Sequence, residues 1–240
     1  MTTLMIDVGG TNVKIMVSAE GEMRKIPSSP EMTASAMVNS VLAQARDWSY
    51  DRVSIGFPGL VKHGKPVRDP LNLGGGWTTF DYSQAFGKPV RFINDASMQA
   101  LGNYRSGRML FLGLGTSTGT TLIADDVVVP IEIGLVRLSR KVRFIDRLSK
   151  EALEKVGKKE WMESVHEAID LLMDVFWPDV LVLGGGNAKY VKPLPDHCRP
   201  VDNRSAYLGA CRLWEDADLF AAAHDTTWHI RRNNRVGSSE

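Results

Sequence analysis

The chain contains one apolar and polar pattern twice, at Leu4–Val17 and at Leu110–Ile123. Each copy has an apolar run, a turn rich in Gly and Thr, and a second apolar run, which predicts two strands joined by a tight hairpin. The glycines allow positive φ and let backbone N–H groups approach an anion. One such hairpin could be an ordinary turn. Two of them suggest paired loops that face each other across a cleft and bind a run of phosphates.

Other periodic segments lie between and after these hairpins. Apolar residues at helical spacing, including Met37, Val41 and Ala45, predict a helix over Met32–Trp48. Further strands are predicted at Arg52–Phe57, Val90–Ile93, Val127–Val129 and Val180–Leu183, and further helices at Ala96–Tyr104, Leu148–Val156, Glu160–Phe176 and Tyr207–Trp214. Strands that alternate with helices indicate an α/β protein. We expect an N-terminal lobe at 1–107, a C-terminal lobe at 108–224 and a frayed polar tail at 225–240.

Composition excludes several classes of protein. The 240 residues are 43% hydrophobic with a net charge of +1, which favours neither a nucleic-acid nor a membrane partner. No apolar segment could cross a bilayer and the first residues do not resemble a secretory signal, so we expect a cytoplasmic protein. Cys198 and Cys211 are the two cysteines, too few for a disulfide framework or a cysteine zinc site. Neither a dinucleotide-binding fingerprint after the first strand nor a Walker A loop occurs.

Several short motifs occur in a fixed order along the chain. They are Asp7-x-Gly-Gly-Thr-x-x-Lys14, Gly56-x-Pro-Gly59, Asn94–Asp95, the Gly115/Thr116/Gly119 turn and Gly184-Gly185-Gly186-Asn187. This ordered set resembles the ROK sugar kinases of the actin/hexokinase-like ATPase superfamily. The blocks that resemble polyphosphate glucokinases in particular are Gly56–Gly64, Leu183–Lys189, Asp202–Asn203 and Gly209–Glu215. The resemblance covers Leu4 to Glu215. It implies a two-lobed actin-like ATPase (ribonuclease H-like) fold with a cleft between the lobes, and a homodimer.

The resemblance also implies a role for each motif. Asp95 would be the general base, and Asn72, Asn94 and Glu132 would bind the sugar. Asp7 would place Mg²⁺, through water. The residues expected to bind phosphate or nucleotide are Asp7, Gly9, Gly10, Thr11, Lys14, Gly115, Thr116, Thr118, Gly119, Gly184, Gly185, Gly186 and Asn187.

Each charged residue in these motifs also has an ordinary structural interpretation. Asp7 could be a turn residue, Asp95 could be a helix N-cap, and Lys14 could be a solvated strand lysine. The segment Gly74–Trp77 beside Asn72 could be a mobile connection. It is the ordered combination that favours catalysis.

The chain departs from the family pattern at Leu135. The resemblance places an acid and a histidine in a Glu-x-Gly-His element, but the chain reads Glu132-Ile-Gly-Leu135. Leucine neither donates nor accepts a hydrogen bond, so a sugar contact that contributes to specificity would be missing. Many ROK proteins carry a cysteine-rich zinc element just beyond this point. Because there is no Cys or His between Leu135 and Trp161, we expect no structural zinc.

Function is expected to be transfer of a phosphoryl group from polyphosphate or ATP to a hexose hydroxyl, with glucose O6 as the first candidate. A cationic track for polyphosphate could be provided by Arg137, Arg140, Lys141, Arg143, Lys150, Lys155, Lys158 and Lys159, although such runs are usually solvated faces. The alternatives are a kinase for a different acceptor and a sugar- or nucleotide-binding protein without catalysis. A DNA-binding regulator is disfavoured because no helix-turn-helix precedes the first strand.

Overall fold

The computed structural model describes residues 1–19, 21–202, 204–215 and 228–229. Up to residue 103 the elements are β1 (Thr3–Val8), β2 (Asn12–Met16), β3 (Arg24–Pro27), α1 (Ala34–Gln44), β4 (Arg52–Phe57), β5 (Val61–Lys62), β6 (Lys65–Pro66), α2 (Tyr82–Phe86), β7 (Val90–Asn94) and α3 (Asp95–Asn103). The later elements are β8 (Met109–Gly113), β9 (Thr120–Ala124), β10 (Val127–Ile131), α4 (Ile145–Leu148), α5 (Lys150–Phe176), β11 (Val180–Gly184), β12 (Cys198–Pro200), α6 (Ser205–Glu215) and β13 (Trp228–His229). Short 3-10 helices lie at Ile133–Leu135 and Ala188–Tyr190.

Two mixed sheets form the framework. The first has the order β3-β2-β1-β4-β7, and the second has the order β12-β11-β8-β9-β10-β13. Both predicted hairpins are confirmed, since β1 pairs antiparallel with β2 and β8 pairs antiparallel with β9. In each sheet the first strand of the hairpin also pairs in parallel with a later strand, β4 or β11. The predicted α/β class is therefore confirmed.

The core strands are buried because their sequences are apolar on both faces. All six residues of β1 are buried, as expected for a strand in the middle of a sheet covered on both sides. One apolar cluster surrounds the first sheet and includes Trp77, and a second surrounds α5 and includes Trp161. Both tryptophans are fully buried, and each indole N–H donates to a backbone carbonyl.

Helix α3 is held against α6 by a contact between two glycines. A Cβ at Gly102 would lie 1.8 Å from the carbonyl oxygen of Ser205, and a Cβ at Gly209 would lie 1.9 Å from that of Met98. Any side chain at either position would force the helices apart. α6 also returns to the first sheet, where the Ser54 hydroxyl donates to the carbonyl of Ala210 at 2.7 Å.

The predicted element bounds differ from the structure in several places. The two helices predicted at Leu148–Val156 and Glu160–Phe176 are the two parts of α5, which is broken at Gly157, where φ is +80°. The short helix α4 was not predicted. After Asn187 the chain forms a single 3-10 turn. The lobe boundary at residue 107 remains a prediction. The predicted tail lies outside the described residues, except for the two residues of β13 that pair with β10.

Candidate phosphoryl-transfer site

The first glycine turn connects β1 to β2. The Gly9 N–H donates to the carbonyl of Asn12 at 3.1 Å, which closes the turn. Ser28, just after β3, stabilises the turn, because its hydroxyl donates to the Gly9 carbonyl at 2.7 Å and its N–H donates to the Thr11 carbonyl. The register pairs Asp7 with Lys14, and Lys14 Nζ lies 3.2 Å from Asp7 Oδ2. The turn is therefore fixed, with a carboxylate and an ammonium at its base.

The second turn is joined to the third glycine motif. The Gly113 N–H donates to Gly119 at 2.8 Å across the mouth of the hairpin. The Leu114 N–H donates to the Gly184 carbonyl at 2.8 Å, and the Asn187 N–H donates back to Leu114 at 3.0 Å. Gly185 has a φ of +80°, and a Cβ there would lie 2.4 Å from the Leu114 carbonyl oxygen. Glycine is thus required where the two turns meet.

Both hairpin turns face one cavity of about 360 Å³. A Cβ at Gly10 in the first turn would lie 4.0 Å from Cγ2 of Thr116 in the second. The predicted site residues that line the cavity are Asp7, Gly9, Gly10, Thr11, Lys14, Asp95, Gly115, Thr116, Gly119, Gly185, Gly186 and Asn187. Facing glycine turns are a favourable arrangement for phosphates, because they let the backbone approach an anion closely.

Asp95 lies in the same cavity, at the start of α3. Burial raises the pKa of its carboxyl to about 7, and the charge of Asp7 adds to that effect while a hydrogen bond from the Ala96 N–H opposes it. The Asp95 carboxylate accepts that N–H at 2.8 Å. A carboxyl with a pKa near neutrality, inside a cleft and beside a second carboxylate, has the properties of a general base.

The neighbouring Asn94 caps α3 in this structure. Its Oδ1 accepts the Ser97 N–H at 3.0 Å, and its Nδ2 donates to Gly59 at 3.3 Å. The cap considered for Asp95 is therefore made by Asn94, and Asp95 is the first residue of the helix. Asp95 itself lines the cavity. The predicted sugar contact of Asn94 remains a prediction.

Four other predicted residues do not line the cavity. Asn72 lies beside the first turn, with its Cβ 4.0 Å from a Cβ at Gly10, while Gly184 is the buried end of β11. Thr118 is buried against Gly134, and its hydroxyl has no hydrogen-bond partner among the described residues. Glu132 precedes the 3-10 helix, and burial raises its pKa although the charge of Arg68 opposes this.

Other lining residues were not predicted. They are Asn12, Ala96, Gln99, Phe111, Gly113 and Ser117. Gln99 follows Asp95 by one helical turn, so helical spacing alone places both on the same face of α3. Asn12 and Ser117 lie within the two turns themselves.

Of the eight basic residues proposed as a track, Lys150 lines the cavity. Its N–H donates to the Gly115 carbonyl at 2.8 Å, and its ammonium lies 3.5 Å from a carboxylate oxygen of Glu154. Arg143 is instead paired with Asp146 at 2.9 Å. The other six are exposed at the surface. One residue of the predicted track therefore lines the cavity, and the other seven lie outside it.

The cysteines and possible metal ligands add little to this picture. Cys198 and Cys211 are free thiols, and burial raises the pKa of Cys198 to about 11. Within the described ranges no three His, Cys, Asp or Glu side chains cluster as a metal site.

No helix in the described part of the chain is long and apolar enough to cross a membrane. Asn203, from one of the predicted motif blocks, lies outside the described residues.

A comparison with known protein families gives the same family as the ordered motifs. A sequence model of the ROK family matches residues 3–129, which is more than half of the chain and includes both hairpins and α3. The protein belongs to the ROK family. A comparison with curated proteins gives no significant match.

Solved structures of ROK proteins share the fold. The inorganic polyphosphate/ATP-glucomannokinase from Arthrobacter sp. strain KM is 24% identical with a TM-score of 0.74, over 87% of this chain and 96% of that one. A Streptomyces griseus ROK glucokinase in complex with glucose and AMPPNP is 18% identical with a TM-score of 0.70, over 89% and 99%. A ROK transcriptional regulator, a homolog of the E. coli MLC protein, is 14% identical with a TM-score of 0.65, over 87% and 76%. The predicted actin-like ATPase fold of the ROK kinases is thus confirmed, while activity varies among proteins that share it.

Proposed function

We propose that this ROK protein is a sugar kinase, which transfers the terminal phosphoryl group of polyphosphate or ATP to a hexose hydroxyl, with glucose O6 as the first acceptor to test. The observation that carries the proposal is the shared cavity, which is lined by the two glycine turns and by Asp7 and Asp95. A regulator needs to bind a sugar but does not need a carboxyl poised near neutral pH beside a phosphate site.

The proposed reaction follows from this arrangement. The acceptor hydroxyl oxygen forms a bond to the terminal phosphorus, and the bond from that phosphorus to the bridging oxygen breaks. The leaving group is ADP or a polyphosphate shortened by one unit. Ionised Asp95 takes the hydroxyl proton as the new bond forms, because a free sugar hydroxyl is far too weak an acid to ionise first. The turns position the donor, and positioning with charge stabilisation supplies most of the rate.

The charges at the base of the first turn fit a donor bound with Mg²⁺. Asp7 is 5% exposed and lines the cavity, and its Oδ2 accepts a hydrogen bond from Lys14. Mg²⁺ prefers oxygen ligands, keeps most of its waters and needs few carboxylates, so Asp7 would hold it through water. When bound, the ion would neutralise charge that develops on the phosphates.

A kinase for a different sugar is the second candidate, and Leu135 favours it. This side chain is 53% exposed at the end of the 3-10 helix that follows Glu132. A leucine in place of the family's histidine leaves an acceptor hydroxyl without one partner, which changes discrimination between sugars more than the transfer step. The acceptor panel must therefore extend beyond glucose.

The test is turnover by purified protein offered ATP or polyphosphate, Mg²⁺ and a panel of hexoses and amino sugars. We expect phosphorylated product, with kcat reduced by about 10²–10⁴ in Asp95→Asn. Asp81→Asn is the matched control, because Asp81 also lies at a helix N-terminus but outside the cavity. Sugar binding without turnover across the panel would favour a non-catalytic ROK protein. Turnover with another sugar and not with glucose would refute the acceptor only.

A further inference from the structure

Two lysines share one aromatic ring just outside the cavity. Tyr190 ends the 3-10 helix that follows Asn187. Lys158 Nζ lies 4.6 Å from the centroid of its ring, and Lys189 Nζ lies 5.0 Å from the same centroid. Both distances are within the range of cation–π attraction. Lys158 comes from α5 and Lys189 from the 3-10 helix, so two separate segments bring positive charge to one place.

In the part of the chain that the structure describes, no carboxylate is paired with either lysine. Because both contact the same ring, the ammonium groups are no farther apart than the sum of the two distances, and they repel each other. Both side chains are exposed. A chain of anions that passes the edge of the ring could contact both ammonium groups and offset their repulsion.

The pair is connected to the cavity by short backbone links. The Tyr190 N–H donates to the Asn187 carbonyl at 3.0 Å, and Asn187 lines the cavity. On the other element, Lys150 lines the cavity at the start of α5, and the break at Gly157 immediately precedes Lys158. The two lysines therefore lie on segments whose preceding residues, Lys150 and Asn187, line the cavity.

We propose that Lys158, Lys189 and Tyr190 form a subsite for the distal phosphates of a linear inorganic polyphosphate, whose terminal phosphate lies between the two glycine turns. The proposal deepens the kinase function and depends on it for the location of the terminal phosphate. Polyphosphate fits better than ATP because it continues as a chain of charges beyond its third phosphate. ATP continues there as a ribose and an uncharged base, which gain little from two ammonium groups.

The test compares the double variant Lys158→Gln/Lys189→Gln with Lys25→Gln/Lys88→Gln. The control removes two exposed lysines that do not line the cavity. Lys25 lies in β3, and Lys88 lies just before β7. We expect kcat/KM for long-chain polyphosphate to fall about tenfold in the first variant. Its dependence on salt should also become shallower, because fewer counterions are displaced. Values for ATP and tripolyphosphate should stay within about twofold, and the control should match the wild type. An equal loss with ATP, or no loss with long polyphosphate, would overturn the subsite.

A binding measurement separates this proposal from the kinase function. Titration calorimetry with long-chain polyphosphate in the absence of sugar requires no turnover. If the wild type binds polyphosphate, the double variant binds it about tenfold more weakly and no sugar is phosphorylated, the subsite stands and the kinase proposal fails. If polyphosphate-driven turnover is the same in the wild type and the double variant, the kinase stands and the subsite is wrong.

Discussion

Replacing Asp95 by Asn should stabilise the unliganded protein and make it inactive. Burial, with help from Asp7, raises the pKa of Asp95 from 3.8 to about 7. This difference corresponds to about 4 kcal/mol against ionisation in the folded state. Since the folded pKa is the higher one, the stability contributed by protonated Asp95 is complete below pH about 4 and is lost as the pH rises through about 7. Asparagine stays neutral throughout. Relative to the wild type, Asp95→Asn should therefore change the free energy of unfolding little below pH about 4 and raise it by up to about 4 kcal/mol above pH about 7.

The assay is scanning calorimetry of both proteins across this pH range without substrates. For a chain of this size, 1 kcal/mol moves Tm by about 2–4 °C, so the variant should melt roughly 10 °C higher at pH about 8. Asp81→Asn should melt close to the wild type at every pH, because Asn caps a helix about as well as Asp. A Tm difference between Asp95→Asn and the wild type that does not change with pH would refute the reasoning, as would a variant that is less stable at alkaline pH.

Three more outcomes are expected. In the wild type, kcat/KM should rise with pH through about 7, because only ionised Asp95 accepts a proton; a pH profile of initial rates checks this, and a flat profile would exclude Asp95 as the base. Gly185→Ala should destabilise the fold by about 1–3 kcal/mol in denaturant titrations, because its Cβ would overlap the Leu114 carbonyl and its φ is positive. Gly186→Ala, with no neighbour within 4 Å of its Cβ, should have a much smaller effect. Leu135→His should raise kcat/KM for glucose about tenfold or more, since one polar partner is restored; no gain for any sugar in the panel would show that this position does not contact the acceptor.

The paired hairpins and central strands were predictable because their signal is local. β4 has the predicted bounds, Arg52–Phe57, since a run of apolar residues between polar ones identifies a buried strand. The edge strands β3 and β12 could not be found in this way. Their sequences, Arg24–Pro27 and Cys198–Pro200, contain few apolar residues, and pairing with a neighbour defines them. Helix α2 was missed because five residues give too little periodicity.

The sequence identified residues of the site but not the direction in which their side chains point. The glycines of the turns could be identified because a turn of this kind requires them. The sequence did not indicate that Thr118 packs against Gly134 while Thr116 lines the cavity. The sequence also left open whether Asp95 caps the helix, since Asn94 and Asp95 are both good caps and only the structure shows that the Asn94 side chain makes the cap. The contact of both lysines with Tyr190 could not be predicted either, because it joins two segments that are distant in the sequence.

The return of α6 to the first sheet has a consequence for how the chain is made. Ala210 and Leu213 are fully buried against strands and helices that the ribosome releases long before them. A nascent chain that ends before Ser205 therefore exposes the apolar surface of β1 and β4, and Asp95 sits on a helix that lacks its partner. We therefore expect the first sheet to complete its core only after α6 has been synthesised, and its exposed apolar surface favours aggregation until then.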